Sequence, residues 1–323
     1  MNGGADTAPL TVAVTGATGF LGRHTVAALA AAGCRLRLLA RREPLALGLD
    51  PSIRPDVVLG ALEDEGALRR LVDGADVVLH MAGAIKAVDD AGYLRVNRDG
   101  TRALAQAVQA VAPAAHVVLV SSLAARHPEL SGYAASKRAG EDALFEVLGR
   151  ERTSVVRPPA IYGPGDRETM VFFELAARKL VPVPGKAGAR ISLLHGADAA
   201  RMLTARVLGT PTGRVHALAD DRPEGYGWRE ILVAAAAAVG NRSPTYFPLP
   251  AGLLQTLGNG AGAIARIAGK NGMVSAGKIR ELLHENWAVA PDELLRDPGA
   301  SPRHGLVDGF AATAAWYREA GWL

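Results

Sequence analysis

The sequence predicts an α/β fold, a doubly wound parallel sheet followed by a smaller lobe, on the strength of three observations. Short β-branched, apolar runs alternate with helical periodicity up to about Arg157, the pattern of repeated βαβ units. The first run turns into a helix through the glycine-rich segment Thr15-Gly16-Ala17-Thr18-Gly19-Phe20-Leu21-Gly22. Beyond Gly163-Pro164-Gly165 the alternation gives way to an irregular pattern. Residues 1–165 are therefore expected to build the sheet, with some later segments returning to it, and residues 166–323 mainly the smaller lobe.

Leu10-Thr11-Val12-Ala13-Val14 is short and mostly apolar, as a parallel strand buried on both faces should be. Helical periodicity follows from Gly19 to Gly33, so the glycine segment sits between strand and helix. There Gly16 permits a sharp turn, Gly19 lets backbone approach an anion, and Gly22 lets helix and strand pack closely. The helix N-terminus then faces the anion with free N–H groups and a partial positive charge. In this Rossmann-type arrangement the anion is a dinucleotide pyrophosphate. A structural turn without ligand would look the same locally. The second strand, Arg35 to Ala40, runs into Arg41-Arg42, where an NAD site usually carries a carboxylate about 20 residues beyond the glycines. A carboxylate repels a 2′-phosphate, whereas a small residue followed by guanidinium groups makes room for one and binds it through paired donors. The expected cofactor is NADP(H) rather than NAD(H), held by Arg41 and Arg42, with Arg23 a lesser candidate. A solvated strand end is the alternative for the two arginines.

Val117-Val118-Leu119-Val120 reads as another buried strand, and it ends in Ser121-Ser122, where α/β sheets deliver side chains to a ligand. Tyr133 and Lys137 follow on the next helix, one turn apart on one face. Hydride transfer to a ketone builds negative charge on the carbonyl oxygen, so the site needs a proton donor within hydrogen-bond reach. A tyrosine with its ordinary pKa of about 10 is a poor proton exchanger at neutral pH. The Lys137 ammonium is expected to favour the phenolate and draw that value down. Ser122 would hold the substrate oxygen, and Asn97 would fix a water or a backbone group behind the lysine. Taken singly, Ser122 reads as a strand-end cap, Tyr133 as a half-buried aromatic and Lys137 as solvated surface. Behind a phosphate-binding turn, Ser122, Tyr133, Lys137 and Asn97 read together as a catalytic group.

In the second half, helices are expected from Glu168 to Lys179, from Asp198 to Leu208 and through the run Ala234 to Ala238, with a Pro/Gly-rich stretch from Val181 to Gly188. This half should shape a substrate pocket. At 323 residues and 49% hydrophobic composition, the chain can bury one large core and a smaller one. Met1 to Pro9 lacks the apolar stretch of a signal peptide, and no run of about 18 uncharged apolar residues suggests a spanning helix. The single cysteine, Cys34, excludes an intrachain disulfide, and no metal cluster is expected. A net charge of +4, spread along the chain, leaves no nucleic-acid footprint. A cytoplasmic location fits these features.

The chain resembles the extended short-chain dehydrogenase/reductases along nearly its whole length. The resemblance rests on the glycine segment, His80-Met81-Ala82-Gly83, Asn97-Arg98-Asp99-Gly100-Thr101, Ser121-Ser122, Tyr133-Ala134-Ala135-Ser136-Lys137, and Arg157-Pro158-Pro159-Ala160-Ile161-Tyr162-Gly163-Pro164. It implies catalysis by Ser122, Tyr133 and Lys137, with Pro159 to Tyr162 passing the nicotinamide. It further implies cofactor contacts from Gly16, Thr18, Gly19, Phe20, Leu21, Gly22, Leu62, Ala82, Gly83, Tyr133, Lys137, Pro159 and Ile161, and it allows a homodimer built from two helices per subunit. Departures exist. The acidic residue that the family often sets after the third-strand glycine is replaced by Ala61 after Gly60, and Asp64 is expected to cap the next helix. The spacing from Ser122 to Tyr133 is short for the family, which leaves Ser121 and Ser122 both open.

Within that family, sugar dehydratases resemble one another in an Asp-Glu pair that this chain lacks, since Leu123-Ala124-Ala125 follows Ser122. Nucleotide-sugar enzymes tend to carry an Asn where this chain has Ala160, and an Arg-Asp-aromatic sequence where it has Arg190-Ile191-Ser192-Leu193-Leu194-His195. A diphosphate would lose charge-assisted partners contributing about 1.5–3 kcal/mol each, although Arg190 and Arg280 could supply two. The segment Phe247 to Ala268 sets Leu249, Leu253, Leu254, Leu257, Ile264 and Ile267 among Gly252, Gly258, Gly260 and Gly262, with Arg266 its only ionisable side chain. It reads as a lid over a greasy substrate or a shallow peripheral membrane contact, with Lys270, Lys278 and Arg280 beside it for anionic headgroups; a core helix or an oligomer contact is the alternative. The layout resembles the branch near 3β-hydroxysteroid dehydrogenases and bacterial lipid-modifying reductases. The expected function is NADPH-dependent reduction of a ketone, or oxidation of the alcohol, on a long-chain lipid such as a 3-keto-sphingoid base or 3-oxo-ceramide. The alternatives are a nucleotide-sugar epimerase or reductase and a non-catalytic NADP-binding assembly subunit.

Overall fold

The structure is a computed structural model that describes residues 8–42, 49–250, 252–254, 256 and 276–323. Its main sheet holds β1 (Thr11–Thr15), β2 (Arg35–Ala40), β3 (Asp56–Leu59), β4 (Val77–His80), β5 (His116–Val120), β6 (Thr153–Arg157) and β10 (Val215–Ala217). All are parallel, in the order β10-β6-β5-β4-β1-β2-β3. The order reverses between β1 and β4, and such a switch point opens a crevice at the carboxyl ends of the strands. β4 and β5 are buried at every position, which explains their nearly continuous apolar sequence.

Helices α1 (Phe20–Ala31) and α7 (Gly196–Leu208) cover one face, around Val12, Val14, Leu29, Leu79 and Leu203. α2 (Glu65–Val72), α4 (Gly100–Val111) and α5 (Gly132–Leu148) cover the other, around Leu68, Leu71, Leu104, Val108 and Leu144. Because α7 packs on α1 and β10 pairs with β6, chain beyond residue 165 completes this layered unit. A third core, with Phe173, Trp228, Ile231, Phe310 and Tyr317, joins α6 (Met170–Ala176), α8 (Trp228–Val239) and α10 (Leu306–Glu319). β7 (Ala160–Tyr162) pairs with β9 (Leu193–His195), and β8 (Leu180–Val183) with β11 (Thr245–Pro248). One more helix, α9 (Ala276–Leu283), leads from residues outside the described set back towards the sheet.

Two expectations change. The helix expected from Glu168 to Lys179 is only α6, because the Asp166 carboxylate accepts the N–H groups of Glu168 and Thr169 (both 2.9 Å) and holds residues 166–169 in a turn. The Pro/Gly-rich stretch carries β8, where Pro182 is tolerated in a sheet of two strands. Most of the glycine-rich apolar segment, residues 251, 255 and 257–268, lies outside the described residues, as does Lys270. Among the described residues, no helix is long and apolar enough to cross a membrane, and no cluster of three or more His, Cys, Asp or Glu could hold a metal ion.

Candidate active site

The crevice at the switch point is formed by the β1–α1 turn on one side and the chain after β4 on the other. Gly16 has φ +76°, and a Cβ there would stand 2.6 Å from the Ala82 nitrogen. A Cβ on Gly22 would strike the Gly16 carbonyl oxygen. Gly19 caps α1 without a side chain, and the first turn, which begins Phe20-Leu21, holds no acidic residue. Backbone donors at an uncapped, acid-free helix start, framed by glycines and with Thr18 exposed, fit a dinucleotide pyrophosphate. Across the crevice, the Ala82 N–H donates to Thr15 Oγ1 (3.2 Å), and Gly83 lies against Asn97 and Lys137. Pro159 is buried between β6 and β7, and Ile161 is half-buried within β7.

At the far end of the crevice, Ala40 is buried while Arg41 and Arg42 are exposed, with no ion pair or hydrogen bond among the described residues. Arg23 instead donates to the Thr18 carbonyl (3.1 Å). Leu62 follows β3. Its side chain belongs to the core and fills the space beside Gly100. Asp64 caps α2 through the Ala67 N–H (2.9 Å), as expected.

The catalytic helix α5 starts at Ser131, whose hydroxyl accepts the Ala134 N–H (2.9 Å). Tyr133 is thereby set on its first turn, half-buried, with Ser122 close enough to draw down its pKa. Lys137 is buried, and its ammonium donates to the carbonyl of Val120, the last residue of β5 (2.8 Å). Asn97 sits in a single π-turn, Arg95–Asp99, of the kind often found at functional sites. Its Oδ1 accepts the Ala84 N–H (2.8 Å), and its Nδ2 donates to the Ala84 carbonyl (3.0 Å) and to Ser136 Oγ (2.8 Å). The backbone group anticipated behind the lysine is thus Ala84.

The two serines have different partners. Ser121 Oγ donates to Glu141 Oε1 (2.5 Å), and Arg157 clamps the same carboxylate through Nε (2.8 Å) and Nη2 (2.6 Å), a buried network that commits Ser121 to structure. Ser122 caps a short 3₁₀ turn through the Ala124 N–H (3.2 Å) while also facing the tyrosine.

The expected lowering of the Tyr133 pKa is corrected. Burial pushes the phenol up to about 12, and the Glu281 carboxylate and the Tyr93 phenol add to the rise; the Ser122 hydroxyl opposes it. Burial has the opposite effect on Lys137, lowering its ammonium to about 8, with Glu141 raising it in part. A phenol that keeps its proton at neutral pH can donate it to a developing alkoxide. His80, hydrogen-bonded to Thr15 (2.6 Å) and Thr101 (3.0 Å), is lowered to about 3 by burial and then by Lys137, so it stays neutral behind the site.

Two residues that sequence reasoning missed stand at this site. Tyr93 meets the Tyr133 ring edge-on at 6.0 Å, and Glu281 reaches Ser131 from α9. No local pattern marks either, since remote elements bring them in. Of the two arginines considered for a diphosphate, Arg280 donates to the Leu130 carbonyl (2.7 Å), and Arg190 is an exposed residue bridged to Asn286. Ala160, where a sugar-nucleotide enzyme tends to set an Asn, is exposed.

Residues 12–211 match the sequence profile of the NAD dependent epimerase/dehydratase family. The chain is 46% identical over 316 residues to a ceramide reductase of Caulobacter vibrioides, covering 97% of this chain and 96% of that protein. It is 33% identical to a 4-hydroxy-2-methyl-3-oxo-4-farnesyl-3,4-dihydroquinoline-1-oxide ketoreductase of Stigmatella aurantiaca, across 47% of this chain and 51% of that one. Among solved structures, the UDP-glucose 4-epimerase of Thermus thermophilus superposes with a TM-score of 0.71 at 22% identity, covering 96% of this chain and 100% of that one.

Proposed function

This chain belongs to the NAD dependent epimerase/dehydratase family and is an oxidoreductase of the short-chain dehydrogenase/reductase type, and from that footing we propose that it reduces a ketone on a long-chain lipid with NADPH. The observation that carries the reading is the site itself: Tyr133, whose phenol keeps its proton beside Ser122, and Lys137 buried one turn along the same helix with its ammonium on the Val120 carbonyl. A bound NADPH supplies the hydride. Ser122 orients the carbonyl, Tyr133 Oη gives its proton to the oxygen as charge develops there, and Lys137 holds positive charge close by, which favours the phenolate left behind.

The substrate class is supported by the near full-length likeness to a ceramide reductase and by Ala160, which stands where nucleotide-sugar enzymes tend to carry an Asn. The choice of NADPH rests on Arg41 and Arg42 at the end of β2, where the small Ala40 stands in place of the carboxylate that would repel a 2′-phosphate. The test follows reduced-cofactor oxidation with a 3-keto-sphingoid base, a 3-oxo-ceramide, simple ketones and UDP-sugars, each with NADPH and with NADH. Turnover of a keto lipid, faster with NADPH, is expected. Turnover of UDP-sugars alone would overturn the lipid reading, and a preference for NADH would overturn the role given to the two arginines.

A further inference from the structure

The small sheet of β8 and β11 turns one of its faces to solvent. Side chains alternate between the faces of a strand, and the register of the pair sets Leu180 beside Thr245 and Pro182 beside Phe247. The opposite face is turned inwards: Val181 is fully buried, and the Arg229 guanidinium of α8 stands over the Tyr246 ring (5.5 Å). On the outer face Leu180 is 59% exposed and Phe247 39%, and Leu253, just beyond β11, is 50% exposed. Arg178 and Lys179 stand immediately before β8, and Arg242 shortly before β11. The Asn241 side-chain amide ties these two approaches together by donating to the carbonyls of Ala176 (2.8 Å) and Arg178 (2.9 Å). All three cations are exposed, and their side chains make no ion pair or hydrogen bond among the described residues. Residues 170–184 and 238–250 set a single acid, Glu174, against them.

An apolar sheet face rimmed by cations finds its complement in a surface that is anionic at its boundary and apolar beneath. A second copy of this chain is a poor match, because a twofold contact through this face brings the same three cations of both copies together. We infer that the outer face of β8 and β11 docks on an anionic lipid bilayer. Leu180 and Phe247 enter the boundary between headgroups and acyl chains, while Arg178, Lys179 and Arg242 meet the phosphates. The inference goes beyond the ketone-reductase reading and does not depend on it; it adds the surface on which a water-insoluble substrate is met.

Flotation of the full chain with lipid vesicles tests it. The wild-type protein should float with vesicles of mixed phosphatidylcholine and phosphatidylglycerol, and its binding should weaken on pure phosphatidylcholine or at about 0.5 M salt. Each cation near an anionic surface raises affinity by about fivefold, so the triple variant Arg178→Gln, Lys179→Gln, Arg242→Gln should bind about 100-fold more weakly. The double variant Leu180→Ser, Phe247→Ser should bind at least about tenfold more weakly. Because all five side chains are exposed, both variants should melt like the wild-type protein, which separates lost docking from lost folding. No flotation of the wild-type protein overturns the inference, and so does binding that the double variant retains, since charge alone would then account for it. A wild-type dimer that the double variant disperses assigns the face to a second copy and overturns it as well. Vesicle binding is read without turnover, so each of these failures leaves the reductase reading intact.

Discussion

Burial moves the two central groups of the site in opposite directions, because it disfavours whichever form is charged: the Tyr133 phenol rises to about 12 and the Lys137 ammonium falls to about 8. At pH 7 both are protonated, which suits proton donation to a ketone. As pH rises, Lys137 loses its charge first, and with it the electrostatic support for the phenolate formed during turnover. The kcat/KM for ketone reduction is therefore expected to stay level below about pH 8 and to fall above it, a break that a pH–rate profile between 6 and 10 reads directly. A profile without a break would contradict the lysine's role. The spacing of Tyr133 and Lys137 was legible in sequence, but the sign of the tyrosine's shift was not. Spacing along a helix says which side chains are neighbours, whereas the shift depends on burial in the folded chain and on Glu281 and Tyr93, both remote in sequence. Ser122 was already preferred from sequence, but the reason for setting Ser121 aside, its bond to the Glu141–Arg157 pair, was not legible there.

Among the elements, the π-turn at Arg95–Asp99 has the most direct bearing on the site. Through Asn97 it binds both backbone groups of Ala84 and the Ser136 hydroxyl, tying the loop after β4 to α5. Asn97→Leu removes these bonds and strands polar groups in a part-buried setting, so a loss of about 2–4 kcal/mol in stability is expected together with a fall in kcat. A melting curve and a rate measurement check it; a variant that melts and turns over like the wild-type protein would contradict the coupling. Elements with strong periodicity, such as β2, β5, α1, α7 and α8, were legible because burial on known faces dictates their residues. β8 and the start of α6 were not, since they depend on pairing with the distant β11 and on the Asp166 side chain. α9 matters for the same reason: nothing within Ala276–Leu283 announces that it docks at Ser131.

At the scale of the whole molecule, the sheet's switch point collects the glycine turn, the chain after β4 and the first turn of α5 into one crevice, which is why motifs far apart in sequence act together. The same core holds His80, His116 and His195 neutral by burial, at about 3, 4 and 4, below the value of about 6.5 in an unfolded chain. Between about pH 6.5 and 4 the unfolded chain takes up protons that the folded one refuses, so this contribution to stability is complete above 6.5 and is lost as pH falls, by up to about 1.4 kcal/mol per pH unit for each histidine. Asp220, raised to about 6 by burial, offsets part of that loss. Denaturant midpoints at pH 7 and pH 5 should differ accordingly, with the lower at pH 5; equal midpoints would contradict the three buried neutral rings. The central claim, that the Tyr133 hydroxyl delivers the proton, is tested most directly by Tyr133→Phe in a single-turnover experiment with NADPH and a keto lipid. The account predicts a fall of about 10²- to 10⁴-fold in the rate of ketone reduction with NADPH affinity nearly intact. Reduction at close to the wild-type rate, or a parallel loss of NADPH binding, would contradict it.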